Sequence, residues 1–299
     1  MRFPQYEWRY FYEPVPGLLS GRHRGAKEAQ GEILSFLDDD VLLSPPWLDG
    51  LTDAFSDPGV VLVGGPSRPQ FEIEPPDWLE GLWVEADGCR MLTALSLISY
   101  DPAVRIIEPF YIFGLNFSIR KAAFKACGGF HPDCIQTELQ RYQGDGETGL
   151  AFKVKAAGLQ ALYHPGVAVA HVIPASRLSL ERFERRGFYQ GICDSYTQIR
   201  REGAVSPALT RSLKEVLRSL IRKPRRDYLL RRGDTEAVRQ LMEVAHTAGF
   251  AFHQNEVRND AGLLQWVTRS DYFDYALPEG WNSYIEGARA INSVSTKSH

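Results

Sequence analysis

Three consecutive carboxylates, Asp38-Asp39-Asp40, follow directly on the apolar run Ile33–Leu37. A short apolar run bounded by a turn signal reads as a buried strand. Carboxylates crowded at the end of such a strand repel one another unless a cation stands among them, and in α/β sheets the carboxyl ends of strands are where ligands bind. A second reading, a solvated acidic turn at the start of the next helix, is equally open from the tripeptide alone. An EF-hand loop is excluded, because Leu42 and Leu43 fall where later oxygen ligands are needed.

Around this strand the chain alternates short apolar runs with helical periodicity. Ser20 to Gln30 predicts a helix with Ala26 and Ala29 inward and Gly31 as its stop. Ser44-Pro45-Pro46 offers a cap and N-terminal prolines to a helix carrying Trp47, Leu48, Leu51 and Phe55 on one face and closed by Pro58. Val60–Val63 predicts a strand. Phe110–Ile119 predicts a strand passing into a helix over Arg120–Ala126, which Gly128-Gly129 terminates. Leu150–Ala157 predicts a helix stopped by Gly158, and Leu159–Tyr163 and Val167–Val172 predict strands. This alternation implies an α/β sheet with helices on its faces. Ser67–Ile107, rich in Trp, Pro and acidic residues, is irregular. Beyond Pro174 helices are expected over Leu178–Arg201, Pro207–Arg222 and Thr235–Ala248, which divides the chain into an α/β core, 1–175, and a mostly helical extension, 176–299.

Further polar groups lie at element ends. In Gly144-Asp145-Gly146-Glu147-Thr148-Gly149 two carboxylates occupy a glycine-rich turn just before a helix, suited either to general-base work or to ordinary capping. His171 ends an apolar strand; it is either a structural histidine or, beside carboxylates, a transition-metal ligand. Gly114-x-Asn116-x-x-x-Arg120 sets polar side chains at fixed offsets across a strand-to-helix passage, which ordinary turn chemistry also explains.

The chain has 299 residues, 44% of them hydrophobic and 24% charged, so disorder or a coiled-coil rod is excluded as its main state. No stretch free of charge and proline approaches the roughly 18 apolar residues of a spanning helix, and the start, MRFPQYEWRYFYEPVPG, lacks the apolar core of a secretion signal. A soluble cytoplasmic protein is expected. The net charge of -3 hides an asymmetry: Arg211–Arg232 holds nine basic and two acidic residues, leaving 25 basic and 35 acidic elsewhere. There Leu213, Val216, Leu217, Leu220 and Ile221 share one helical face, and Arg211, Lys214, Arg218 and Arg222 take the remainder. Such a helix can rest on an anionic membrane at the cytoplasmic face or pack on the core with its basic side solvated. Nucleic acid is not an expected partner, since the patch is short and no recognition motif accompanies it. The four cysteines form no C-x-x-C pair and read as reduced structural thiols.

Taken in order, these features resemble family 2 glycosyltransferases of the GT-A fold, from about Glu13 to Gly191. The resemblance begins with E-P-x-P-G-L (Glu13–Leu18) and continues into S-G-R-H-R-G-A-K-E-A-Q-G-E, where His23 stands in place of the usual Asn. F-L-D-D-D-V-x-x-x-P-x-W-L matches the DxD region, G-L-N-F-S-I-R-K-A-A-F-x-x-x-G-G-F the segment shaping the acceptor side, and G-D-G-E-T-G-L-A-F-K-V-K-A-A-G the acidic region of the catalytic base. There Glu147 takes the position of the base and Gly149 replaces a second acidic residue. His171, followed by I-P-x-x-R-L, completes the series.

The resemblance implies a metal-dependent inverting glycosyltransferase that moves a sugar from a nucleotide-diphosphate-sugar to a hydroxyl of a glycan, polysaccharide or lipid-linked acceptor. Asp38, Asp40 and His171 would hold Mn2+ or Mg2+; Asp38, Asp39 and Arg22 would contact the donor; Glu147 would take the acceptor's proton; Asn116, Asp145 and Trp78 are the acceptor-side candidates. On charge alone, Arg177 or Arg182, Arg185 and Arg186 would close over the phosphates. One departure stands out. The family's first strand–helix–strand unit, which holds the nucleotide base, has no counterpart here, although Tyr10–Tyr12 is a candidate remnant strand, so the sheet is expected to expose an edge or a face. That departure keeps open an alternative, a degenerate, non-catalytic binding or scaffold protein. Nucleotidyl transfer is disfavoured because no glycine- and lysine-rich phosphate loop lies near the start.

Overall fold

The computed structural model describes residues 9–206, 222–274 and 277–285. Its strands are β1 (Ile33–Leu37), β2 (Val41–Leu43), β3 (Val60–Gly64), β4 (Ser67–Phe71), β5 (Val84–Ala86), β6 (Cys89–Leu92), β7 (Leu97–Tyr100), β8 (Arg105–Ile107), β9 (Asn116–Arg120), β10 (Gln160–Tyr163) and β11 (Val169–Ile173). The described helices are α1 (Leu18–Glu28), α2 (Trp47–Ala54), α3 (Lys121–Ala126), α4 (Gly146–Ala156), α5 (Leu180–Glu202), α6 (Arg222–Arg232), α7 (Thr235–Asn259) and α8 (Ala261–Thr268). The expected α/β architecture is present as two mixed sheets flanked by helices. One sheet has the order β1-β9-β3-β10-β8 and the other β2-β11-β4-β7-β6-β5. In each, a single parallel pair (β3 with β10, β4 with β11) sits among antiparallel neighbours.

The all-apolar run Val60–Val63 becomes the fully buried centre of the first sheet. The run Ile33–Leu37 does not: among the described residues β1 is an edge strand, paired only to β9, with Leu34 buried and Leu37 exposed. Its free side borders an open groove of about 810 Å³ that α1 closes from the other flank. Among the described residues this edge of the sheet is unpaired. Tyr10–Tyr12 forms no strand, and Tyr10 and Tyr12 are solvent-exposed.

Glycine punctuation works as expected after α3 and α4, whereas α1 ends at Glu28, ahead of Gly31. Gly128 and Gly129 follow α3 and Gly158 follows α4, each with positive φ. Helix α2 departs in detail. Ser44 Oγ donates to the Gly166 carbonyl instead of capping, and Leu48 is exposed while Trp47, Leu51 and Ala54 face the core. Phe110–Leu115 is not strand; Pro109–Tyr111 forms a 3-10 turn, and pairing begins only at Asn116. The irregular stretch after Ser67 folds as the short strands β4 to β8.

The helical part shares the main core. Tyr196, Ile199, Trp266, Tyr272 and Trp281 pack in one cluster with Leu62, Phe117, Phe124 and Leu150. Helix α7 runs well past the expected Ala248 because no strong breaker precedes Asp260, and Gly249 has a packing role there. A Cβ on Gly191 would strike the His246 carbonyl, and one on Gly249 the Phe188 carbonyl, so glycines let the α5 and α7 backbones touch. The amphipathic helix expected over Pro207–Arg222, with Arg211, Leu213, Lys214, Val216, Leu217, Arg218, Leu220 and Ile221, lies outside the described residues, apart from Arg222 at the start of α6. Among the described residues no helix is long and apolar enough to cross a membrane.

Candidate active site

At the end of β1 the chain turns through Asp38–Asp40 into β2, which pairs with β11. Asp38 meets Arg22 of α1: Nη2 of Arg22 donates to Asp38 Oδ1 at 3.2 Å and to the Gly114 carbonyl at 3.0 Å. Nη1 of the same guanidinium lies 3.8 Å from Glu147 Oε2 in the first turn of α4. Glu147 Oε1 accepts from the Gly114 amide at 3.1 Å. The Arg22 side chain is nearly buried and lies over the Phe130 ring at 5.0 Å. Gly114 must be glycine for this closeness, since a Cβ would lie 2.8 Å from Arg22 Nη2 and 3.0 Å from Glu147 Cδ.

Asp40 turns the other way. Its Oδ2 lies 2.7 Å from Arg177 and 3.6 Å from His171 Nε2. A carbonyl only accepts, so the 2.9 Å contact of His171 Nδ1 with the Leu95 carbonyl places the ring proton on Nδ1. Nε2 is left with its lone pair, which receives Arg177 Nη1 at 2.8 Å. Asp39 is exposed at the tip of the turn.

Burial pushes the Asp38 carboxyl above its ordinary pKa; Arg22 opposes this, and the charges of Asp40 and Glu147 add to the upward push. Asp40 Oδ1 is buried without a hydrogen-bond partner. A cleft with surplus negative charge and an orphaned carboxylate oxygen suits a hard divalent cation. An imidazole whose other N–H is fixed by a carbonyl is oriented as metal-bound histidines are. The expected set Asp38, Asp40 and His171 is nevertheless not assembled: Arg22 draws Asp38 aside, Arg177 holds Asp40, and among the described residues no three His, Cys, Asp or Glu side chains form a metal-binding group.

The acceptor-side expectations need correction. Asn116 is buried, accepting from Trp47 Nε1 at 3.1 Å and donating to the Val167 carbonyl at 2.8 Å, so it ties α2 to the sheet. Asp145 is buried between His131 Nδ1 at 2.6 Å and Thr197 Oγ1 at 2.7 Å and neither caps α4 nor faces the cleft. Trp78 is half-buried, its ring edge-to-face with Phe183 at 5.0 Å. The substitution at Gly149 now has a cause, because a Cβ there would run into the His131 ring and the Asp145 carboxylate. His23 also has one: its Nε2 accepts the Phe130 amide at 3.0 Å. Sequence reading missed His131 and Thr197, whose only signal was that Asp145 needs partners if buried.

With this geometry described, comparison with known proteins is informative. The glycosyl transferase family 2 model matches residues 4–126, a stretch that includes Arg22 and Asp38–Asp40. That stretch is similar to glycosyl transferase family 2. Over 177 residues this chain is 23% identical to the glucosyl-dolichyl phosphate glucuronosyltransferase of Haloferax volcanii, an alignment covering 58% of this chain and 54% of that protein. The chain thus spans about half the length of this curated relative. A solved structure of GalNAc-T7 with UDP, GalNAc and Mn2+ superposes over 68% of this chain and 40% of its own, at 16% identity and a TM-score of 0.40.

Proposed function

We propose that this chain transfers a sugar, with inversion, from a nucleotide-diphosphate-sugar to a hydroxyl of a glycan or lipid-linked acceptor. The observation that carries the reading is that Arg22 joins Asp38, at the carboxyl end of β1, to Glu147 in the first turn of α4. Once Arg22 and Arg177 release them, Asp38, Asp40 and the Nε2 lone pair of His171 would hold a divalent cation; when bound, such an ion offsets charge developing on the leaving diphosphate. Glu147 is oriented by the Gly114 amide and is partly exposed, so its carboxylate can take the proton of the attacking hydroxyl. In that step the acceptor oxygen bonds to the anomeric carbon, the bond from that carbon to the diphosphate breaks, and the nucleoside diphosphate leaves.

Arg22 keeps Glu147 and the donor carboxylates in a fixed relation, which is the positioning such a displacement needs. The relative's action on a dolichyl-phosphate-linked glucose supports a lipid-linked acceptor. The reading is tested by calorimetric titration of the protein with UDP- and GDP-sugars in the presence and absence of Mn2+. Metal-dependent binding that Asp38→Asn/Asp40→Asn abolishes is expected. Absence of any metal-dependent binding overturns it.

A further inference from the structure

The first turns of α5 carry a second charged face. Arg182, Arg185 and Arg186 stand at the i, i+3 and i+4 spacing that shares one side of a helix. Arg177, just before them, is committed to Asp40 and His171. Arg182 is half-buried, and its burial, together with the charges of Arg185, Arg177 and Arg186, disfavours its protonated form. Among the described residues the arginine ion pairs of this region are Arg177–Asp40 and Arg226–Glu184; none joins Arg182, Arg185 or Arg186 to a carboxylate.

Beside this face opens a cavity of about 540 Å³, lined by Thr137, Ser179, Arg182, Arg185, Tyr189 and Arg226 among others, and by none of Asp38, Asp40, Glu147 or His171. It is therefore separate from the donor carboxylates. Two glutamates also line it, but Glu184 is chelated by Arg226 at 2.7 to 2.9 Å and Glu181 is exposed. The two sites adjoin through one loop: Cys134 and Gln136 line the groove that Arg22 and Asp38 also line, and Thr137, next in the chain, lines this cavity. A half-buried and an exposed guanidinium, Arg182 and Arg185, neither in an ion pair, in a concavity with hydroxyl groups, are the chemistry that captures phosphate.

We propose that this cavity is an acceptor subsite for a phosphate ester: the accepting saccharide carries a phosphate that Arg182 and Arg185 hold. The inference rests on the transfer reading above and adds the acceptor's charge to it. A phosphate of this kind can be borne by a lipid headgroup or by a free glycosyl phosphate.

The test is calorimetry on the full chain in EDTA with three probes: glucose 1-phosphate, phosphatidylcholine vesicles carrying a glucosyl polyprenyl phosphate, and a neutral alkyl glucoside. Saturable binding of a phosphate probe and none of the glucoside is expected. Arg182→Gln/Arg185→Gln should weaken it about tenfold or more, whereas Asp38→Asn/Asp40→Asn leaves it intact. A response to vesicles alone assigns the lipid-linked source, and a response to the soluble ester assigns the free one. Binding that survives the arginine substitutions, that is lost with the aspartates, or that is absent for both phosphate probes overturns the subsite. Arg182→Lys/Arg185→Lys, which keeps the charge, should restore most of the affinity and guards against a folding artefact. A Mn2+-dependent nucleotide titration on the same samples is read separately, so loss of the transfer reading and loss of the subsite are distinguished.

Discussion

Arg22 Nη1 stands 3.8 Å from Glu147 Oε2 while Nη2 of the same guanidinium bonds Asp38, so one side chain of α1 couples Glu147 to Asp38. Arg22→Gln removes a nearly buried charge that both carboxylates face. Uncompensated, Asp38 and Glu147 repel each other, and the expected cost is about 2 kcal/mol of stability together with loss of transfer. Denaturant unfolding and a transfer assay check this; a variant as stable and active as the parent would show that the bridge is incidental.

Glu147→Gln keeps the size of the side chain and its contact with the Gly114 amide but cannot accept a proton. Transfer should fall by about two to four orders of magnitude, with metal-dependent donor affinity nearly unchanged. Rates from single-turnover assays and dissociation constants from calorimetry separate the two. Retained turnover removes Glu147 from the base role.

Much of this site was legible before any coordinates. The apolar run ending in Asp38–Asp40 marked a strand end, and the glycines after α3 and α4 marked helix ends, because both signals are local in the chain. Asn116 and Asp145 were misread because a polar side chain's direction depends on distant partners: Val167 for one, His131 and Thr197 for the other. No spacing rule announces such pairs. The edge position of β1 was likewise invisible in its composition, since Leu34 and Leu37 look alike in the sequence and only one is buried. The match of Arg177 to Asp40 joins β11's trailing turn to the Asp turn across 136 intervening positions, beyond any periodicity argument.

Gly149 should resist restoration of the acidic residue that the family carries there. In Gly149→Asp the new Cβ meets the His131–Asp145 pair and the added charge is buried beside another carboxylate. A loss on the order of 4 kcal/mol or failure to fold is expected. Gly149→Ala, which adds only the Cβ, isolates the steric part and should cost about 1 to 3 kcal/mol. Urea unfolding midpoints measure both; a neutral Gly149→Ala would show that the His131 ring can move aside.

Acid should destabilise the fold well above the carboxylate range. Burial lowers His23 to about 3, and His131 and His253 to about 4, each from an ordinary 6.5. All three are neutral in the folded chain at pH 6, while the unfolded chain already takes up protons there. Their stabilising effect is therefore complete above pH 6.5 and is lost as pH falls from 6.5 towards 4, at up to about 1.4 kcal/mol per pH unit for each histidine. By pH 5 each should have cost the fold about 2 kcal/mol. His253 makes the cleanest probe, because its shift has burial as its cause and its Nδ1 partner, Ser195 Oγ at 2.9 Å, does not titrate. Thermal melting from pH 7.5 to 5 should show a falling Tm whose slope is reduced by about one third in His253→Gln. A melting temperature flat across that range would mean that these histidines titrate normally in the folded state.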